Sequence, residues 1–171
     1  TPAYNSKNII GSGSIKMSPT AQTSIAYQDV DFPNGHIIYF AAWGFFESTT
    51  GGIQLLRASD KGGDSNAVNV ALDPRLNRWQ RISGLKTVSN GGIRFRVGSS
   101  SNQTMVVYFD GMTAIDLTAI YGAGNEPTKD VFENNVLKYY SNQYVKTPSY
   151  FNNLSVTNNK ITEVLEDINY Y

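Results

Sequence analysis

Residues 110–140 read DGMTAIDLTAIYGAGNEPTKDVFENNVLKYY, and the way this stretch turns from strand to loop to helix decides how the rest of the chain folds. Just ahead of it, Val106-Val107-Tyr108-Phe109 is an unbroken apolar run rich in β-branched and aromatic residues, as a buried strand requires. A strand is therefore expected over 104–111. Gly122-Ala123-Gly124-Asn125 supplies residues that tolerate positive φ, so the backbone turns sharply there. Pro127 pushes Glu126 out of helical geometry, and Thr128 is placed to cap a helix expected over 129–140. Phe132, Val136, Leu137 and Tyr140 fall near one face of that helix, which therefore packs onto the body of the fold.

Working back from this element, the chain reads as short strands with turn signals between them. Residues 36–48, HIIYFAAWGFFES, are apolar at both parities and predict a central strand covered on both faces. Gly51-Gly52 ends it, a strand over 53–59 follows, and 60–66 is a charged, glycine-rich loop. Residues 67–72 turn Val68, Val70 and Leu72 inward and Asn69 outward. A strand over 78–85 carries Trp79 on one face and Arg78, Gln80 and Ile82 on the other. Residues 93–97 set Ile93, Phe95 and Val97 against Arg94 and Arg96. Two shorter strands are expected at 8–10 and 25–27, and the turn formers of 29–35 close that region. This spacing predicts an all-β fold, an antiparallel β-sandwich of jelly-roll type over about residues 5–121, closed by the one helix.

After Tyr140 the composition shifts to Asn, Ser and Thr with Pro148, as in an extended arm. Ile161, Val164, Ile168 and Tyr171 then recur at the 3-4-3 spacing of a coiled-coil seam, over fewer than two heptads. The alternative is a terminal helix folded back on the domain. With isoleucines at equivalent positions, the seam is compatible with a homotrimer. The expected organisation is a domain over 1–144, followed by an arm with a short terminal helix over 145–171.

Composition excludes several classes. Lys+Arg and Asp+Glu balance at 14 each, which argues against a nucleic-acid surface, since those are basic. No apolar stretch approaches a membrane span and none of these residues reads as a signal peptide, so no membrane insertion is expected. The absence of Cys removes disulfide frameworks and thiolate chemistry. The chain starts at Thr1, which leads to the expectation that it is a piece of a longer protein.

An enzyme needs an activated group. His36, the single histidine, stands at the head of a strand and reads as structural, and no serine lies on a G-x-S-x-G elbow. Carboxylates near strand ends are Glu47, Asp110 and Asp116, and the sequence does not show whether two converge as a glycosidase needs. The chain is expected to be non-catalytic, and glycan degradation is the minor alternative. A binding face suits the composition better. Aromatics make up 12 % of the chain, with eleven Tyr, and a sheet face can combine flat rings with amide and guanidinium donors. The candidates are Tyr39 and Trp43 as a stacking platform, with Gln54, Asn69, Gln80, Arg94 and Arg96 as hydrogen-bonding partners. For Trp43 core and platform readings stand side by side, and Trp79 is expected in the core.

The run Asp116-Leu-Thr-Ala-Ile-Tyr-Gly-Ala-Gly-Asn-Glu-Pro-Thr128, with its acidic, aromatic-bearing helix, resembles the end of a module recurrent in bacteriophage tail, baseplate and receptor-binding proteins. The likeness extends more loosely back to about Ile9 and stops near Tyr144. Those modules look like carbohydrate-binding jelly rolls. The resemblance implies a virion-tail, extracellular location, adhesion to the host cell through a surface polysaccharide, and contacts with other tail subunits. It also implies a structural calcium ion near the last strand, with Asp110 as its named oxygen donor. A spacer or assembly module of the tail is the alternative reading.

Overall fold

The computed structural model describes residues 3–5, 13–18, 25–49, 54–73, 78–99, 105–135, 156–157 and 160–161. The strands in chain order are β1 (Ala3–Asn5), β2 (Ser14–Met17), β3 (Ile25–Asp31), β4 (Ile37–Thr49), β5 (Gln54–Asp60), β6 (Val68–Ala71), β7 (Gln80–Thr87), β8 (Gly92–Ser99) and β9 (Met105–Asp116). Helices α1 (Leu117–Tyr121) and α2 (Lys129–Asn135) follow, then the short pair β10 (Val156–Thr157) and β11 (Lys160–Ile161). One sheet runs β1-β2-β9-β4-β7 and the other β3-β8-β5-β6. All pairings are antiparallel. With β1 set aside as an added edge, the two four-strand orders are those of a jelly roll, as the turn spacing predicts.

The long apolar run becomes β4, and it lies inside its sheet with β9 on one side and β7 on the other. Its even-numbered residues Ile38, Phe40, Ala42 and Phe46 face the opposing sheet. They join Met17, Ile82, Val107 and Phe109 of the same sheet and Leu56, Ala58, Ile93, Phe95 and Val97 of the other in one buried cluster. Phe40 and Phe95 meet across the layers at 6.1 Å between ring centroids. Register between β4 and β9 shifts between Ala41 and Trp43. Gly111, at φ 56°, sits in this bulge, a conformation in which a side chain would be strained. The extra residue keeps Phe109 and Met112 both turned toward the inter-sheet core.

The opposite face of β4 builds a second core. Tyr39, Ala41, Ile115, Leu117 and Phe132 are all buried there, with Ile37, Leu85, Ile120 and Tyr121 packed around them. The element that decides the fold is thus a lid over the outer face of the five-stranded sheet. Asp116 caps α1 by accepting a hydrogen bond from Ala119 N–H at 2.9 Å, and its other oxygen lies 2.8 Å from His36 Nδ1. Gly122 closes α1 at φ 84°, donating its N–H to the Thr118 carbonyl at 2.9 Å. Thr118 Oγ1 accepts from Ile37 N–H at 2.9 Å and donates to Glu126, whose second oxygen accepts from Gly124 N–H at 2.8 Å. Thr128 caps α2 through Val131 N–H at 3.3 Å. Asp116, Thr118, Glu126 and Thr128 are thereby committed to holding the turn in shape.

Glu133 locks α2 down. Its carboxylate accepts hydrogen bonds from Tyr39 Oη at 2.9 Å and from Ser83 Oγ. Arg81 and Lys129 each come within 3.6 Å. Burial alone pushes this carboxyl up, but the two hydroxyl donors and the two cations together hold it below the ordinary range. Burial also drives the Tyr39 phenol well above its usual value. Tyr108, buried and donating to Glu47, is pushed up to about 12. Both groups therefore stay neutral in the folded state after the unfolded chain begins to ionise near pH 10, so the unfolded state binds fewer protons there. Stability is expected to fall as pH rises through about 10 toward about 12, and a series of thermal midpoints between about pH 9 and about pH 11.5 checks this.

Several expectations need correction. The region 29–35 was expected to be all turn, yet β3 runs on to Asp31. Val30 packs toward the core and Asp29 is neutralised by Arg94 across the ladder, so turn formers are accommodated in a strand. β9 runs on to Asp116, beyond the strand expected over 104–111, and α1 over Leu117–Tyr121 is a helix not anticipated from the sequence. α2 starts at Lys129 as expected, and its projected end at 136–140 lies outside the described residues. So do the first strand expected at 8–10 and most of the arm, including the seam residues Val164, Ile168 and Tyr171. Among the described residues no helix is long and apolar enough to cross a membrane.

Candidate functional site

The outer face of the four-stranded sheet carries a registered array of polar side chains around one exposed ring. Ala26 and Val30 of β3 pack toward the core, which turns Tyr27 and Asp29 outward. The same alternation turns Arg94 and Arg96 of β8, Arg57 of β5 and Asn69 of β6 to this face, whereas Ser59, of the same parity, is fully buried with its Oγ donating to the Gly63 carbonyl at 2.8 Å. Cross-strand pairing then aligns Tyr27 with Arg96, Arg96 with Arg57, and Arg57 with Asn69 in one continuous row. A second row sets Asp29 beside Arg94 and Arg94 beside Ser59.

These groups hold one another in place. Arg94 makes a two-point contact with Asp29, Nε at 2.8 Å and Nη2 at 2.9 Å, and its guanidinium lies 4.3 Å from the centroid of the Tyr27 ring. The hydrogen bond from Arg94 holds the Asp29 carboxyl below the ordinary range and raises the guanidinium in turn. Arg57 Nε donates to Asn69 Oδ1 at 2.6 Å. Arg96 Nη1 donates to both oxygens of Asp64, at 2.8 and 3.1 Å. Tyr27 remains 58 % exposed, and Val131 is its only companion as an exposed large hydrophobic among the described residues. A flat, open ring beside fixed hydrogen-bonding groups suits a ligand that has both apolar faces and hydroxyls.

The structure distributes the expected residues over several places. Arg94, Arg96 and Asn69 share the face just described. Gln54 opens β5 of the same sheet, and its side chain lies outside the described set. Gln80 belongs to the other sheet, where its amide clasps both main-chain groups of Asp73 at 2.8 and 2.9 Å and closes the connection from β6. Tyr39 is fully buried beneath Phe132, with ring centroids 4.9 Å apart, so it offers no stacking surface. Trp43 lies half-buried on the outer face of the five-stranded sheet, beyond the helical lid. Tyr27, Asp29, Arg57 and Asp64 were not anticipated. The doublet Leu55-Leu56 hides the alternation that would have exposed Arg57, and the turn-like residues after Tyr27 mask the true length of β3.

Trp79, expected in the core, is instead half-buried and packs on Phe45 at 5.7 Å, and Phe45 meets Tyr108 at 6.3 Å. With Trp43 these rings form an aromatic patch on the five-stranded sheet. Glu47 and Asp110 lie on this side too. Asp110 pairs opposite Trp43, four residues from Glu47, so the two strand positions are about 13 Å apart along the sheet. Asp110 Oδ1 accepts from Gly111 N–H at 2.7 Å within the bulge. Among the described residues no group of three or more His, Asp or Glu gathers as a metal site. A calcium ion at Asp110 would have to draw most of its oxygens from main-chain carbonyls and water.

No protein-family model matches the chain, and no curated protein matches it. Solved structures do. A family 16 carbohydrate-binding module aligns over 67 % of this chain and 85 % of its own, at TM-score 0.54 and 16 % identity. A Clostridium thermocellum xylanase 10B fragment, holding a family 22 carbohydrate-binding module and a catalytic module with xylohexaose, aligns over 67 % of this chain and 24 % of its own, at TM-score 0.50 and 16 % identity. Tailspike protein 4 of bacteriophage CBA120 aligns over 67 % of this chain and 17 % of its own, at TM-score 0.48 and 16 % identity. The chain has the β-sandwich fold of a carbohydrate-binding module.

Proposed function

We propose that the chain is a non-catalytic carbohydrate-binding module of a phage tail, baseplate or fibre protein, which recognises a glycan on the host cell surface through the outer face of its four-stranded sheet. The observation that carries this is the registered row Tyr27–Arg96–Arg57–Asn69, with Arg94 and Asp29 beside it. It places a 58 % exposed ring among side chains already fixed by mutual hydrogen bonds. Groups ordered before binding lose little freedom when a ligand arrives. The phage assignment rests on the resemblance of the 116–128 run.

The test is calorimetric titration with teichoic acid, peptidoglycan fragments and capsular polysaccharide. Tyr27→Ala is expected to weaken binding about 10-fold or more, a loss of about 1.4 kcal/mol or above, without changing the thermal midpoint. Trp43→Ala is expected to leave affinity unchanged. The opposite pattern would move the site to the five-stranded sheet, and no binding to any glycan would sink the reading. Tryptophan emission is a poor reporter here, because Trp43 and Trp79 both sit on the other sheet.

The aromatic patch of Trp43, Phe45 and Trp79 favours a second reading, a spacer or assembly module that meets another tail subunit. Sedimentation of the domain as a monomer at high concentration, with no affinity for tail subunits, would count against it.

A further inference from the structure

Arg57 and Arg96 stand directly opposite one another on neighbouring strands, and like charges in that position repel. One carboxylate lies between them. Asp64 is held by Arg96 Nη1 at 2.8 and 3.1 Å, and its Oδ1 is 3.6 Å from Arg57 Nη1. It comes not from the sheet but from the loop between β5 and β6. Its side chain is 53 % exposed, whereas those of Arg57 and Arg96 are 16 % and 11 % exposed. Two well-covered guanidiniums are thus served by one anion whose own side chain is more than half in solvent. The neighbouring Arg94 is matched differently, by Asp29 from the adjacent strand.

Resting on the glycan reading above, we infer that the Arg57–Arg96 pair is the seat of an acidic group on the sugar, and that Asp64 occupies this seat until the ligand displaces it. Guanidinium forks match the planar carboxylate of a uronic acid and the phosphate of a phosphodiester-linked glycan alike. Tyr27 stands beside Arg96 in the same row, one strand spacing of about 4.8 Å away. The ring therefore takes the face of a sugar while the arginines take its charge. The ligand class is an anionic polysaccharide, and the loop carboxylate acts as a built-in competitor that rejects weak anions.

The full chain is titrated with oligogalacturonate, with glycerol-phosphate teichoic acid, with a neutral xylo-oligosaccharide and with inorganic phosphate. Asp64→Asn preserves shape and removes the competitor, so affinity for the acidic glycans is expected to rise about 10-fold with the neutral sugar unchanged. Arg96→Gln is expected to lower acidic binding at least 10-fold. Arg96→Lys, which keeps the charge but loses the fork, should fall between and covers the case in which the glutamine variant folds poorly. The galacturonate and teichoic arms decide between carboxylate and phosphate, and phosphate alone should bind weakly to Asp64→Asn. The inference is overturned if Asp64→Asn leaves acidic binding unchanged, or if the neutral sugar binds as well as the acidic ones. In that second case glycan recognition itself still stands. If nothing binds, both readings fall.

Discussion

Asp60→Ala is expected to destabilise the domain by about 3–5 kcal/mol, because it leaves a lysine charge inside the protein without its partner. Lys86 is 6 % exposed and its Nζ lies 3.0 Å from Asp60 Oδ1. The same oxygen accepts from Ser89 Oγ at 2.6 Å, and Oδ2 accepts from Asn66 Nδ2 at 2.7 Å. One carboxylate thereby ties the base of the β5–β6 loop to the β7–β8 connection. The thermal midpoint should fall by roughly 10 °C or more. Hydrogen bonds from Ser89 and then Lys86 hold the Asp60 carboxyl below its ordinary value. The sign follows: its contribution is present above the unfolded carboxylate range near pH 4 and is lost as pH falls through the folded value. Asp60→Asn should therefore flatten the acid side of the stability profile. Denaturant unfolding at neutral pH is the measurement, and a loss below about 1 kcal/mol would mean that Lys86 reaches water or another acceptor.

Phe132→Ala is the second large effect, again about 3–5 kcal/mol, the usual range for removing a fully buried phenyl ring. The described part of α2, Lys129–Asn135, has seven residues, and a segment of that length does not persist without packing. Phe132 is the one buried residue of that described part, seated on Tyr39. Losing that contact should release the helix, and amide exchange across 129–135 should accelerate more than exchange in β5 and β8. Glycan affinity of the molecules that remain folded should not change, since the lid lies on the sheet opposite the proposed binding face. A parallel loss of affinity would show that the two faces are coupled.

What the sequence disclosed was mostly what alternation and turn chemistry can carry. The strict alternation of Ile93, Phe95 and Val97 against Arg94 and Arg96 placed two arginines on one outer face. The two-sided apolarity of β4 is explained by a sheet on one side and a helical lid on the other. Legibility failed where one residue type fits two environments. Tyr39 and Trp43 share a parity, but whether a ring on that face is open depends on where α2 lands, which is a long-range fact. Gln80 looked like a ligand donor, yet an amide at a strand start serves equally well to bind a turn. The partners of the arginines lie far off in the chain or in a loop, so no local pattern announces that Arg96 and Arg57 share Asp64.

The order of strands has a consequence for the birth of this domain. Strand β4 hydrogen-bonds along its length to β9, with Ile38 opposite Asp116 and Thr49 opposite Met105. A nascent chain that has released β4 therefore holds an apolar ribbon with one long edge unmatched until almost the whole domain has been synthesised. Folding governed by such distant pairings is slow, and the exposed edge is prone to pairing with other chains meanwhile. A ribosome stalled before residue 105 should accordingly display an aggregation-prone intermediate, and one stalled well beyond residue 135 a protease-resistant domain.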